Sequence, residues 1–153
     1  MTTRLAATTA GDLPDVNVWL ALAVQEHPHH RAALAYWQGA AQTRAWFCRI
    51  TMLGLVRLLT QPRVMGRGAL AAHEALAVHD RWMALPEVGL HPEPPGCDDV
   101  LRELATPALP ARMLTDTYLA AFAMAAGLRL VSFDTDFLRF ESLTCLRLSA
   151  PDV

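Results

Sequence analysis

"LTDTYLAAFAMAAGLRLVSFDTDFLRF", residues 114–140, decides the fold. Its first half is an alanine-rich helix closed by Gly127, a residue suited to the left-handed turn that ends helices. Ala120, Ala123 and Ala126 leave room for that helix to lie close on a sheet. The next stretch, 128–133, is a mainly apolar run of strand length, as expected of a strand buried on both faces. The run ends in Asp134 and Asp136, one residue apart and flanked by large apolar side chains. Carboxylates are costly to bury unless something compensates their charge. Solvent, a helix end or a bound cation would each serve.

Moving outward, strands and helices keep alternating. Residues 13–24, "LPDVNVWLALAV", begin as a short strand and turn into a helix near Asn17. Residues 27–42 carry apolar side chains at helical spacing, at Ala33, Tyr36, Trp37 and Ala40. "RAWFC" (44–48) is a strand, and 49–60 continue as a helix. A Pro/Gly loop (60–68), a helix ended by Pro86, a strand at 88–92 and a helix at 97–105 follow. A last strand is expected at 144–148. The pattern predicts an α/β domain of three layers, with a mostly parallel central sheet covered by helices on both faces. A single domain is expected over 13–150, preceded by a polar N-terminal extension over 1–12.

Composition narrows the function classes. The chain has 153 residues, enough for one domain with a real core. Apolar residues make up 53% and charged residues 18%, which argues against disorder. No apolar run is long enough to span a membrane, and a cytoplasmic protein is the default expectation. The three cysteines, Cys48, Cys97 and Cys145, are widely spaced and unpaired by any C-x-x-C motif. They read as small buried hydrophobes rather than disulfide or zinc ligands. The formal net charge is −2, so contact with nucleic acid would need a local patch or metal ions. All 13 basic residues are arginine.

In such a sheet, ligands bind beyond the carboxyl ends of the strands. Asp15 ends the first strand, Asp134 ends the strand at 128–133, and Asp116 lies in the first turn of the alanine-rich helix. One mouth would collect all three, with Asp136 joining if the chain turns after Asp134. Gathered carboxylates repel one another, and some stay protonated without help. Mg²⁺ or Mn²⁺ resolves the repulsion, polarises a phosphodiester and activates a water nucleophile. Taken singly, each aspartate also has a structural use: Asp15 as a helix cap, Asp116 as a first-turn acid, Asp134 and Asp136 as a turn.

At this level the residues resemble PIN-domain ribonucleases, specifically VapC-type toxins of bacterial toxin–antitoxin pairs. "LPDVNVWLAL" resembles the opening of that family, "FCRITMLGLVRLLT" its second helix segment, and 114–140 its third and fourth acidic motifs. The resemblance runs from about Leu13 to Leu148. It implies a PIN-like, Rossmann-like fold and endonucleolytic cutting of RNA such as tRNA or ribosomal RNA. It further implies Mg²⁺ or Mn²⁺ held by Asp15, Asp116 and Asp134, with Asp136 as an accessory acid. The implied partners are a VapB-type antitoxin and a second copy of the chain. One position departs: Gly54 aligns where many relatives carry glutamate. Loss of that carboxylate leads to the expectation that one ion dominates.

Other residues have two readings. Asn17 either bonds within the mouth or caps the helix. Thr115 and Ser132 either orient a carboxylate or bond to nearby backbone. Arg49, at the start of the helix after the second strand, either contacts phosphate or is solvated. "HPHH" (27–30) reads as an exposed helix start rather than a ligand set, and His73 and His79 as solvated. The four tryptophans read as core or dimer surface. Two rival classes, haloacid-dehalogenase-type phosphatases and phosphorelay receivers, need a lysine that this chain lacks. A third rival is a PIN-like domain that binds RNA or its antitoxin without cutting.

Overall fold

The computed structural model describes residues 9–42 and 44–149. Five strands form one parallel sheet: β1 (Asp12–Pro14), β2 (Ala45–Phe47), β3 (Val88–Leu90), β4 (Arg129–Ser132) and β5 (Cys145–Arg147). Their order across the sheet is β3-β2-β1-β4-β5. Seven α-helices accompany them: α1 (Val16–Ala23), α2 (His30–Gly39), α3 (Arg49–Leu59), α4 (Pro62–Met65), α5 (Ala72–Met83), α6 (Cys97–Leu104) and α7 (Leu114–Ala126). The strand order reverses at β1 and β4, which opens a crevice at their carboxyl ends.

Side chains alternate across the sheet with the period of two that a strand imposes. Leu13 and Leu130 enter the core under α6 and α7, whereas Val131, Ala45 and Phe47 enter the core under α1, α2, α3 and α5. Trp19 is fully buried and stacks on Phe47 at 3.9 Å, with Trp82 and Trp37 edge-on or tilted around it. Such aromatic pairs contribute about 0.5–1.5 kcal/mol each beyond their buried area. On the opposite side, α7 lays Ala120, Ala121 and Ala123 against the sheet with no exposed surface. Gly127 then ends the helix at φ 68°, the left-handed region where a side chain would be strained.

β1 takes in Asp12, which composition alone assigns to the N-terminal extension; residues 1–8 lie outside the described residues. Asp12 is fully buried and accepts from Arg129 Nε (2.8 Å) and Nη2 (2.9 Å), from Tyr36 Oη and from the backbone N–H of Gln42 (3.0 Å). This network ties β1, α2 and β4 together at the end of the sheet where Asp12 lies. A buried carboxylate so fully bonded is costly to break, because half-buried Arg129 would lose its counter-charge and Tyr36 its acceptor.

Two histidine expectations need correction. His79 is buried at 6% exposure, one turn after buried Ala75, and packs edge-on to Phe47. Burial therefore lowers its pKa. The three histidines of "HPHH" are half-buried, and His29 stacks on Phe133 rather than standing in solvent. Cys48 and Cys97 are buried and Cys145 is half-buried, all as free thiols. Among the described residues no helix is long and apolar enough to cross a membrane.

Candidate metal centre

The crevice between β1 and β4 is where the acids meet. Asp15 leaves β1 in extended conformation, its N–H still bonded to Val131 O (2.8 Å). Its Oδ1 accepts from Val16 N at 2.7 Å, so it caps α1 as the structural reading expects. Its Oδ2 accepts from Ser132 Oγ at 3.1 Å. Ser132 Oγ in turn accepts from Asp134 N at 2.9 Å, and Asp134 Oδ1 accepts from Asp136 N at 2.8 Å. One hydroxyl thus donates to the first acid and accepts from the third, using both capacities. The short 3₁₀ turn at Thr135–Arg139 bends the chain after Asp134 and brings Asp136 back toward the mouth.

Asp116 arrives from the other side, in the first turn of α7. One carboxylate oxygen each from Asp116, Asp134 and Asp136 lie within 4.8 Å of one another. The tight group therefore contains Asp136, expected only as an accessory. Asp15 borders the group, is 5% exposed, and is joined to it through Ser132. Capping, turn-forming and acid-gathering are not alternatives here: the same hydrogen bonds that shape the turn aim the carboxylates.

The electrostatics follow from that crowding. Burial raises the Asp15 pKa from 3.8 to about 6, and the charges of Asp116 and Asp134 add to the rise. The hydrogen bonds from Val16 and Ser132 oppose it. Burial also raises Asp116, with Asp134 and Asp136 pushing the same way and Arg112 pulling back. Arg112 lies in the 3₁₀ turn before α7 and reaches Asp136 at 3.5 Å. An exposed pair of that length contributes little, so the mouth keeps a surplus of negative charge. Hard oxygen donors at this spacing, with protonation favoured by burial and then by mutual repulsion, fit a divalent cation such as Mg²⁺ or Mn²⁺.

The remaining candidates separate. Asn17 is exposed and lines a cleft next to Asp134. Thr115 is exposed beside Asp116. Arg49 is exposed, places Nη1 3.6 Å from Met52 Sδ, and its charge is felt by His79 rather than by the acids. Arg112 is the basic residue that sequence reasoning missed; its place one turn before Asp116 was the available signal. Gly54 faces α1: a Cβ there would lie 2.9 Å from Val16 Cγ2. Gly54 therefore sits against the residue after Asp15, and a side chain there would have to displace the Val16 side chain.

Comparison with known proteins agrees with this architecture. The family model for the PIN domain matches residues 13–143. "Ribonuclease VapC41" of Mycobacterium tuberculosis is 38% identical over 149 residues, covering 90% of this chain and 98% of the relative. "Ribonuclease VapC33" of the same organism is 31% identical over 137 residues, covering 86% and 93%. Among solved structures, VapBC2 from Rickettsia felis bound to a promoter DNA fragment superposes with a TM-score of 0.63 at 12% identity, covering 90% of this chain and 98% of that one. M. tuberculosis VapC20, a toxin that cleaves the sarcin-ricin loop, gives a TM-score of 0.63 at 17% identity, covering 84% and 93%. At those identities the two structures speak to the fold. The chain belongs to the PIN-domain family, in its VapC branch.

Proposed function

We propose that this chain is a metal-dependent endoribonuclease and the toxin of a VapBC-type pair, restrained by a VapB-type antitoxin. The observation that carries the reading is the convergence of Asp116, Asp134 and Asp136, with Asp15 at their edge, at the crevice of the sheet. The names of its VapC relatives support the ribonuclease activity, and the VapBC structure of similar fold supports the partner. We further propose tRNA or ribosomal RNA as the substrate class and a homodimer as the working form.

The ion, Mg²⁺ or Mn²⁺, would be held by Asp116 and Asp134 with Asp15 or Asp136 completing the set. When bound, it supplies Lewis acidity toward a phosphodiester and neutralises its charge. The chain supplies the rest. Asp134 and Asp136 are held in register by the turn between them. Ser132 fixes the Asp15 carboxylate against rotation and holds the Asp134 backbone. Burial, with Asp116 and Asp134 adding to it, holds the pKa of the Asp15 carboxyl up at about 6, and a cation in the mouth would favour its ionised form. Arg112 reaches Asp136 at the rim and is the one cation paired to these acids among the described residues.

Gly54 favours one dominant ion over two, because it supplies no carboxylate and a larger residue there would first have to displace Val16. The same observation favours the second reading, a domain that binds RNA or antitoxin without cutting. Asp116→Asn and Asp15→Asn separate the two. If the nuclease reading holds, each variant folds and loses growth inhibition. Full toxicity in a folded variant refutes the assignment of the metal site.

A further inference from the structure

The groove that "HPHH" forms beside the acids has a chemistry of its own. A cleft of about 460 Å³ is lined by Asn17, His27, Pro28, His29, Phe133 and Asp134. Asp134 belongs both to this cleft and to the acid group, so the two are continuous. We propose that the cleft is a nucleobase subsite: it takes one unpaired base of the RNA strand whose phosphate lies at the acids, stacking it on the His29–Phe133 pair. The proposal rests on the ribonuclease reading above.

Its chemistry selects a base over a phosphate. The His29 and Phe133 rings stack on each other, 4.7 Å apart between centroids and 21° from parallel, so a base would extend the stack on an outer ring face. Splayed-out bases stack on such surfaces regardless of sequence. No arginine lines the cleft, and Asp134 at its rim repels a second phosphate. His27 Nδ1 accepts the His29 N–H at 3.0 Å, so this ring is neutral and its remaining proton is on Nε2. His27 and the exposed Asn17 amide thus offer donors and an acceptor to the edge of a base. The cleft holds no arginine and is acidic at one lip, which matches the base half of a nucleotide bound next to its metal-held phosphate. It also implies that the strand must be single at the cut, because a paired base cannot turn into the cleft.

The test uses a short dye-labelled single-stranded RNA of mixed sequence and an abasic strand of equal length. Ca²⁺ replaces Mg²⁺, and a gel checks that the strand stays intact. Anisotropy should show the full chain binding the base-bearing strand about tenfold more tightly than the abasic one, the scale of one base–aromatic stack. His29→Ala should remove most of that preference and His29→Phe should restore it. Mn²⁺ affinity measured by calorimetry should be unchanged in both, which separates stacking from damage to the acids. A folded His29→Ala variant that keeps the full preference overturns the subsite. So does loss of antitoxin affinity with base preference intact, which would assign the cleft to a peptide. A wild-type chain that cuts RNA but ignores its bases overturns the subsite and leaves the nuclease standing. One that neither cuts nor binds RNA overturns both.

Discussion

Removing the charge of Asp15 should make the metal-free protein more stable, and only above acidic pH. The carboxyl is 5% exposed and faces Asp116 and Asp134, and its pKa rises from 3.8 to about 6 on folding. The folded state therefore binds its proton more tightly than the unfolded chain does. Below the unfolded value both states are protonated and the group is neutral to stability. Between the unfolded and folded values the unfolded chain ionises while the folded state keeps its proton, so stability falls until pH has passed the folded value. A shift of that size corresponds to about 3 kcal/mol, fully expressed above about pH 7. Asp15→Asn keeps an acceptor for Val16 N but cannot ionise. Urea unfolding in EDTA at a series of pH values would measure the difference between variant and wild type. Comparing the two cancels His27 and His79, which titrate in both. The difference should be near its minimum at about pH 4 and grow toward about 3 kcal/mol at about pH 7.5. Mg²⁺ should then narrow the gap by stabilising wild type more than the variant. Parallel curves across the pH range would refute the argument that burial and crowding hold this carboxyl up.

Three other perturbations probe the frame around the mouth. Asp12→Ala should cost about 3–5 kcal/mol by removing the counter-charge of half-buried Arg129 and the acceptor of buried Tyr36, measured by denaturant unfolding, while Mn²⁺ affinity of the folded variant stays unchanged. Gly54→Ala should destabilise by about 1–3 kcal/mol because its Cβ meets Val16 at 2.9 Å, and Gly54→Glu should cost more without raising Mn²⁺ affinity. Ser132→Ala frees the Asp15 carboxylate and the Asp134 N–H together, and should weaken Mn²⁺ binding by roughly 10–100-fold with the fold retained, as calorimetry would show.

How much of this was legible in the sequence depends on the range of the interaction involved. The helix ending at Gly127 and the strand running into Asp134 were readable because their signals are local: alanine spacing, a left-handed stop, an apolar run. Asp134 and Asp136 could be tied to one turn because they are two residues apart. Asp12 was missed because its main partner, Arg129, is 117 residues away, and no local pattern distinguishes a buried carboxylate from a solvated one. His79 carried a signal that was passed over, since it shares a helix face with Ala75 and both are buried. The histidines of "HPHH" look solvated in isolation. They reach the mouth only because α1 turns back after Val24 and sets His29 against Phe133 at the end of β4. Gly54 read simply as a missing acid, whereas the close approach of α1 and α3 supplies a reason for glycine.

The most direct test of the central claim is cleavage of RNA by the purified chain with Mg²⁺, Mn²⁺ or EDTA, run beside Asp116→Asn. The account predicts cutting with either ion, none in EDTA, and none by the variant although it remains folded. Cutting that persists in EDTA, or in folded Asp116→Asn, would contradict it.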